Sequence, residues 1–304
     1  MILINKFHQP VIKEKKIINL EKIFKLNKKN IILPLGSCFL DEFCVHLEKN
    51  KFNIFYDRTK HKIIKVDRKS REQAFQFFFG NFYNPLNLLN NLERIINKTW
   101  AFKDKDYVFS KEFNHYINLY LKTRFKTKKL DELKKHIEKI DKYLFNEIKN
   151  SSIILLSFDS GEVWIDKSSK KAWYTFYGNF FNQKVYKNRA TLVSLNSENI
   201  KVIINKIIKI LGKFGKKKKF ILIGSPHPLI SSYKKLDHQL SNWYDKSNFI
   251  SAYNDLKSKD IAYFPINEIL HNYKENEIYE ENFFYLKPKT KVKVLLPKFK
   301  KMFF

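Results

Sequence analysis

The chain has 304 residues, 44% of them hydrophobic and 16% aromatic, with a formal charge of +29. That length and apolar content can build a sizeable core, and 29 Phe with 16 Tyr exclude a disordered chain. The charge attracts polyanions without specific contact, but only six of the 59 cations are Arg, the residue that bidentate phosphate and guanine recognition favours. The lysines are dispersed along the whole chain, so no specific nucleic-acid partner is expected, and any binding of nucleic acid should be sequence-independent and fade with salt.

The first twenty residues, "MILINKFHQPVIKEKKIINL", contain no uninterrupted apolar h-region and no small-residue cleavage site, and nothing later reaches the length of a transmembrane span. The first strand pattern is "IILPL" at 31–35, where Pro34 requires the end of the strand or an unpaired position. It ends at Gly36. Ser37 and Cys38 then open an amphipathic helix whose apolar positions are Phe39, Leu40, Phe43, Cys44 and Leu47. Cys38 and Cys44 are the only cysteines, and helical rise separates them by about 9 Å, too far for a disulfide. Two free thiols suit a reducing compartment, and a cytoplasmic protein is expected.

A second strand pattern, "FNIFY", spans 52–56. In "YNPLNLLNNLERIINK", Asn84 can cap a helix with Pro85 in its first position, and Leu86, Leu89, Leu92 and Ile96 form one face. Residues 100–127 are aromatic and basic without a clean period, and so are 164–190; both read as long loops or small excursions. Helical patterns at 130–148 and 198–212 each precede a strand, "IILLSF" at 153–158 and "FILIG" at 220–224, and a last strand, "IAYF", lies at 261–264. Lys216 to Lys219 read as a solvated turn. Alternating strands and helices without a Pro/Gly/Ser-rich linker imply one α/β domain over 1–304, a three-layer α/β/α sandwich with a mainly parallel sheet.

At the carboxyl end of a strand, a side chain on the first turn of the next helix points into the crevice where α/β proteins bind ligands. Ser37 fits a nucleophile there; it also fits an ordinary helix N-cap. His227, just after strand 220–224, and Asp159, just after strand 153–158, reach the same edge and are candidate bases, although a loop histidine in a Pro-flanked turn and a solvated aspartate read the same way. His115, His238 and His271 lack a strand-end position. Cys38 competes with Ser37, but its assignment to the apolar helix set makes an inert buried thiol. No metal and no other cofactor is expected.

Five blocks in order resemble the GSCFA family, a branch of the SGNH (GDSL-like) hydrolases: "GSCF" at 36–39, "FGNFYNPLNLL" at 79–89, "IILLSFDSGEVW" at 153–164, "ILIGSPHPL" at 221–229 and "IAYFPINEIL" at 261–270. The resemblance implies an SGNH-hydrolase-like fold and acyl chemistry with Ser37 as nucleophile, on a small ester or acylated glycan. It further implies oxyanion donors at the Ser37 and Gly80 N–H groups, with Asn84 as either a third donor or a cap. Glu162 and Trp164 would then face the crevice, Trp164 alternatively lying in the core. The family's C-terminal Asp and His fall at Asn282 and Tyr285 here, and neither is a base near neutral pH. Two outcomes follow: an O-acyl hydrolase or acyltransferase with impaired turnover, or a degenerate member that binds carbohydrate or protein.

Overall fold

The computed structural model describes residues 23–27, 29–54, 81–111, 113–122, 125–174, 188–227, 237–271, 273–280 and 286–304. Four strands, β1 (Ile32–Gly36), β4 (Ile153–Ser157), β7 (Lys219–Ile223) and β8 (Ile261–Phe264), form a parallel sheet in the order β1-β4-β7-β8. The runs are almost wholly buried, as they must be when helices cover both faces of a parallel sheet.

Pro34 lies in the middle of β1 opposite Leu155, at an outward-facing position rather than at the strand's end. Ser37 N–H donates to Ser157 O on the β4 side, whereas Ile32 N–H donates to Asn53 O and Gly36 O accepts from Phe82 N–H on the outer side. Pro34 shares the direction of 32 and 36, so its missing N–H removes nothing from the β1–β4 ladder. Of the expected strand at 52–56, Ile54 makes a single parallel bridge to Ile32, and residues 55 and 56 lie outside the described set.

The helices form two packed groups on the sheet, giving three α/β/α layers. In one, α1 (Cys38–Lys49) buries Phe39, Leu40, Phe43, Cys44 and Leu47 completely. Each of the Phe and Leu side chains contributes roughly 1.5–3 kcal/mol of burial. Phe43 meets Phe299 edge-on at 5.5 Å, which docks the C-terminal helix made of Pro288–Thr290, a π-helical turn at Lys291–Leu295, and Leu296–Phe303. In the other group, α2 (Pro85–Ile95), α4 (Ser197–Gly212) and α5 (His238–Leu256) pack together. The long α3 (Leu130–Asn150) leads into β4. No helix among the described residues is long and apolar enough to cross a membrane.

The stretches expected as long loops or small excursions hold two small antiparallel pairs. β2 (Tyr107–Ser110) and β3 (His115–Asn118) form one antiparallel pair, and β5 (Glu162–Asp166) with β6 (Ala190–Ser194) forms another. These strands are only four or five residues long, too short for a period of two to stand out. A polar face of α2 fixes them: Asn87 Nδ2 donates to Tyr120 O (2.9 Å) and Ala172 O (3.0 Å), and Asn90 Oδ1 accepts from Ala172 N–H (2.8 Å). These buried amides pair main-chain groups that have no ladder partner.

Candidate functional site

The crevice forms where β1 turns into α1. A Cβ on Gly36 would sit 2.0 Å from Ser157 O, so the two strands approach closely only because position 36 has no side chain. Ser37 follows as the N-cap residue of α1, yet its hydroxyl makes no cap hydrogen bond. Its Oγ is fully buried and makes no hydrogen bond of normal geometry among the described residues. The cap reading of Ser37 therefore holds for its position and fails for its side chain.

The expected oxyanion role of the Ser37 N–H is overturned. That group donates to Ser157 O at 2.9 Å because the parallel ladder continues one residue past β1. The N–H groups of Cys38 and Phe39, in the first turn of α1, have no intrahelical acceptor and stand at the positive end of the helix dipole. Gly80 lies outside the described residues, as do Asn282 and Tyr285.

Asp159 arrives two residues beyond β4, its own N–H held by Tyr83 O at 2.9 Å. Burial pushes its carboxyl up to about 6, while the Ser225 and Ser37 hydroxyls and the Lys246 ammonium draw it back down. His227 comes from the loop after β7 and is only 2% exposed. Its Nδ1 lies 3.6 Å from Cys38 Sγ, and Phe39 meets the ring edge-on at 5.7 Å. Burial, then the charges of Lys246 and Lys291, push this imidazole down to about 3, so it is neutral at physiological pH. Tyr279 Oη donates to Pro226 O at 2.8 Å and steadies the loop.

Cys38 corrects the sequence expectation. It is half-exposed and faces His227, whereas Cys44 is the thiol in the core. A residue at the start of an amphipathic helix belongs to the apolar stripe only if its rotation points inward, and position 38 points to the sheet edge. Sγ of Cys38, a carboxylate oxygen of Asp159 and a ring nitrogen of His227 lie within 4.8 Å of one another.

Lys246, from α5, escaped the sequence reading because nothing separates it from the other lysines. It donates to Ser225 O at 2.9 Å, and burial pushes it down to about 8 while Asp159 pulls it up. Tyr83, raised by burial and by Cys38, lines the same region.

Other expected residues lie elsewhere or serve the fold. Asn84 caps α2, its Oδ1 accepting from Asn87 N–H at 2.8 Å. Glu162 heads β5 and is 8% exposed. Trp164 packs against a satellite cluster of Ile117, Leu119, Tyr120, Trp173 and Ala190, in keeping with its packing reading. His115 Nδ1 engages Phe113 O in the β2–β3 hairpin, and His271 is exposed.

A family model described as the GSCFA family matches residues 31–299. The eukaryotic translation initiation factor 2-alpha kinase PK4 of Plasmodium berghei (strain Anka) is 27% identical over 270 residues, 77% of this chain and 10% of that protein. The chain thus spans about a tenth of the length of that curated relative. None of its seven glycines stands in the Gly-x-Gly-x-x-Gly order that covers ATP phosphates in protein kinases.

Proposed function

Because the chain belongs to the GSCFA family, we propose that it is an SGNH-like O-acyl hydrolase or acyltransferase whose nucleophile is Ser37 and whose substrate is a small ester or acylated glycan. The observation that carries this reading is the Ser37 hydroxyl, fully buried at the β1–α1 junction, not used as a cap, and beside the Asp159 carboxyl.

Asp159 takes the Ser37 proton as Oγ attacks the ester carbonyl, and the first-turn N–H groups of Cys38 and Phe39 meet the developing oxyanion. Collapse expels the alkoxide, which regains the proton, and the acyl group passes from Ser37 to water or to an acceptor hydroxyl. The acyl chemistry itself calls for no cofactor. The His227 ring nitrogen faces Cys38, and Asn282 and Tyr285 stand where the family's Asp and His are expected, so slow turnover is expected. A single domain whose two cysteines are not joined in a disulfide suits a reducing, cytoplasmic setting.

Hydrolysis of p-nitrophenyl acetate tests the assignment. Ser37→Ala and Asp159→Asn should each lower the rate, by about 10²- to 10⁴-fold for loss of nucleophile or base assistance, while His227→Ala changes it less than either. A rate indifferent to Ser37 removes the nucleophile. A protein with no rate above buffer, yet still holding acylated glycan, is a binding member of the fold instead.

A further inference from the structure

We propose that Cys38, Asp159 and His227 form a binding site for one divalent transition-metal ion of the zinc type. Thiolate, imidazole and carboxylate are the donor set that such borderline ions take in four-coordinate sites. The three ligand atoms come from three elements that converge on one sheet edge: the first turn of α1, the end of β4 and the loop after β7.

The distances suit an ion. With metal–sulfur near 2.3 Å and metal–nitrogen near 2.0–2.1 Å, a tetrahedral S···N edge spans about 3.6 Å, and Cys38 Sγ to His227 Nδ1 is 3.6 Å. All three atoms already lie within 4.8 Å of one another. Cys38 and Asp159 each keep some exposure as residues, while His227 is buried.

A second observation concerns the fourth position. Ser37 Oγ, fully buried and without a hydrogen bond of normal geometry, stands beside Asp159, so the triangle opens onto a polar group that a bound ion or its water would satisfy. Outer groups already orient the ligands. Phe39 fixes the imidazole plane, Tyr83 contacts Cys38, and the Ser225 hydroxyl approaches Asp159.

Charge is compatible as well. Thiolate and carboxylate together offset the two charges of the ion. Of the two nearby cations, Lys291 is paired with Glu42 at 2.5 Å, and Lys246 is held on Ser225 O and Asn267 Oδ1. Binding releases one proton, from the Cys38 thiol to buffer; His227 enters neutral, Asp159 enters as carboxylate, and no electron moves. The site shares the crevice of the acyl reading but does not depend on Ser37 being a nucleophile.

The test uses the chelator-stripped full chain titrated with Co²⁺ as optical probe and then with Zn²⁺. One Co²⁺ per chain should bind, with a thiolate-to-metal charge-transfer band and the intense visible bands of four-coordinate cobalt, both bleached by one equivalent of Zn²⁺. Cys38→Ser and His227→Ala should weaken binding by at least about 100-fold, since even outer-shell losses cost 10- to 100-fold. Ser37→Ala should keep the thiolate-to-metal charge-transfer band, which comes from Cys38 whatever fills the fourth position, so failure of the acyl reading and failure of the metal site are separable. In the wild type, Zn²⁺ should also protect Cys38 from alkylation, a readout that needs no variant. Absence of the charge-transfer band, its survival in Cys38→Ser, or alkylation of Cys38 unaffected by Zn²⁺ would overturn the site.

Discussion

Two aspartates follow strands in different parts of the molecule and meet opposite fates. Asp166, at the end of β5, is fully buried and accepts from Ser168 N–H (2.9 Å), Ser168 Oγ (2.6 Å), Ser169 N–H (3.0 Å), Trp173 Nε1 (3.3 Å) and Arg189 Nε (2.7 Å). Burial pushes this carboxyl up, but those donors outweigh it and hold the group well below the usual carboxylate range. Asp159, beyond β4, has an oxygen without a hydrogen bond, and burial wins. A satisfied carboxylate ties the β5–β6 excursion together, whereas an under-satisfied one is available to a proton, a substrate or an ion.

Asp166→Asn should have the largest effect on stability. It strands Arg189, whose remaining partners are Asp106 Oδ1 (2.8 Å) and Lys105 O (2.7 Å). A loss of about 3 kcal/mol in the unfolding free energy from denaturant titration at neutral pH is expected for breaking a buried charge pair. Because the folded-state value is depressed, the wild-type contribution is complete above the unfolded value near 3.9 and disappears as pH falls below it. Acid sensitivity in that range should flatten in the variant; an unchanged acid limb would show that the network is dispensable.

Glu147 sharpens the comparison from outside both regions. Only 4% exposed, it is pushed by burial up to about 8. A raised folded-state value means that stability is complete below the unfolded value near 4.5 and falls as pH rises toward 8. Glu147→Gln should therefore be stabilising at pH 8 by about 1–2 kcal/mol after solvent screening, and neutral at pH 4. Equal melting shifts at both pH values would contradict this.

The smallest expected change is that of Asp159→Asn, within about 1 kcal/mol of wild type, as for sites away from the major destabilising mechanisms. Urea unfolding measures it. A loss as large as that of Asp166→Asn would erase the distinction between the two regions and make Asp159 structural.

Much of this was legible in the chain. The β1–α1 junction, the Asn84–Pro85 helix start and the alternation of strands with helices all carry period and cap signals that side-chain type alone encodes. The α5 helix did not, because its buried face includes Ser241 and Asp245, polar residues whose burial makes sense only once Asp245 Oδ2 accepts from Gly161 N–H at 2.8 Å, 84 positions away. The same long-range dependence hid Lys246. The Ser37 N–H was misassigned because strand register, not local sequence, decides which amides remain free.

The "GSCF" run separates into two kinds of requirement. Gly36 is imposed by a neighbouring strand and an apolar side chain at position 39 by the core, so a chain that keeps this crossing is constrained at both positions whatever it does. Ser37 and Cys38 are the letters the architecture leaves unassigned. Matches built on the outer pair will therefore gather chains that share a shape and have parted in chemistry, and the middle pair is where their vocations must be read.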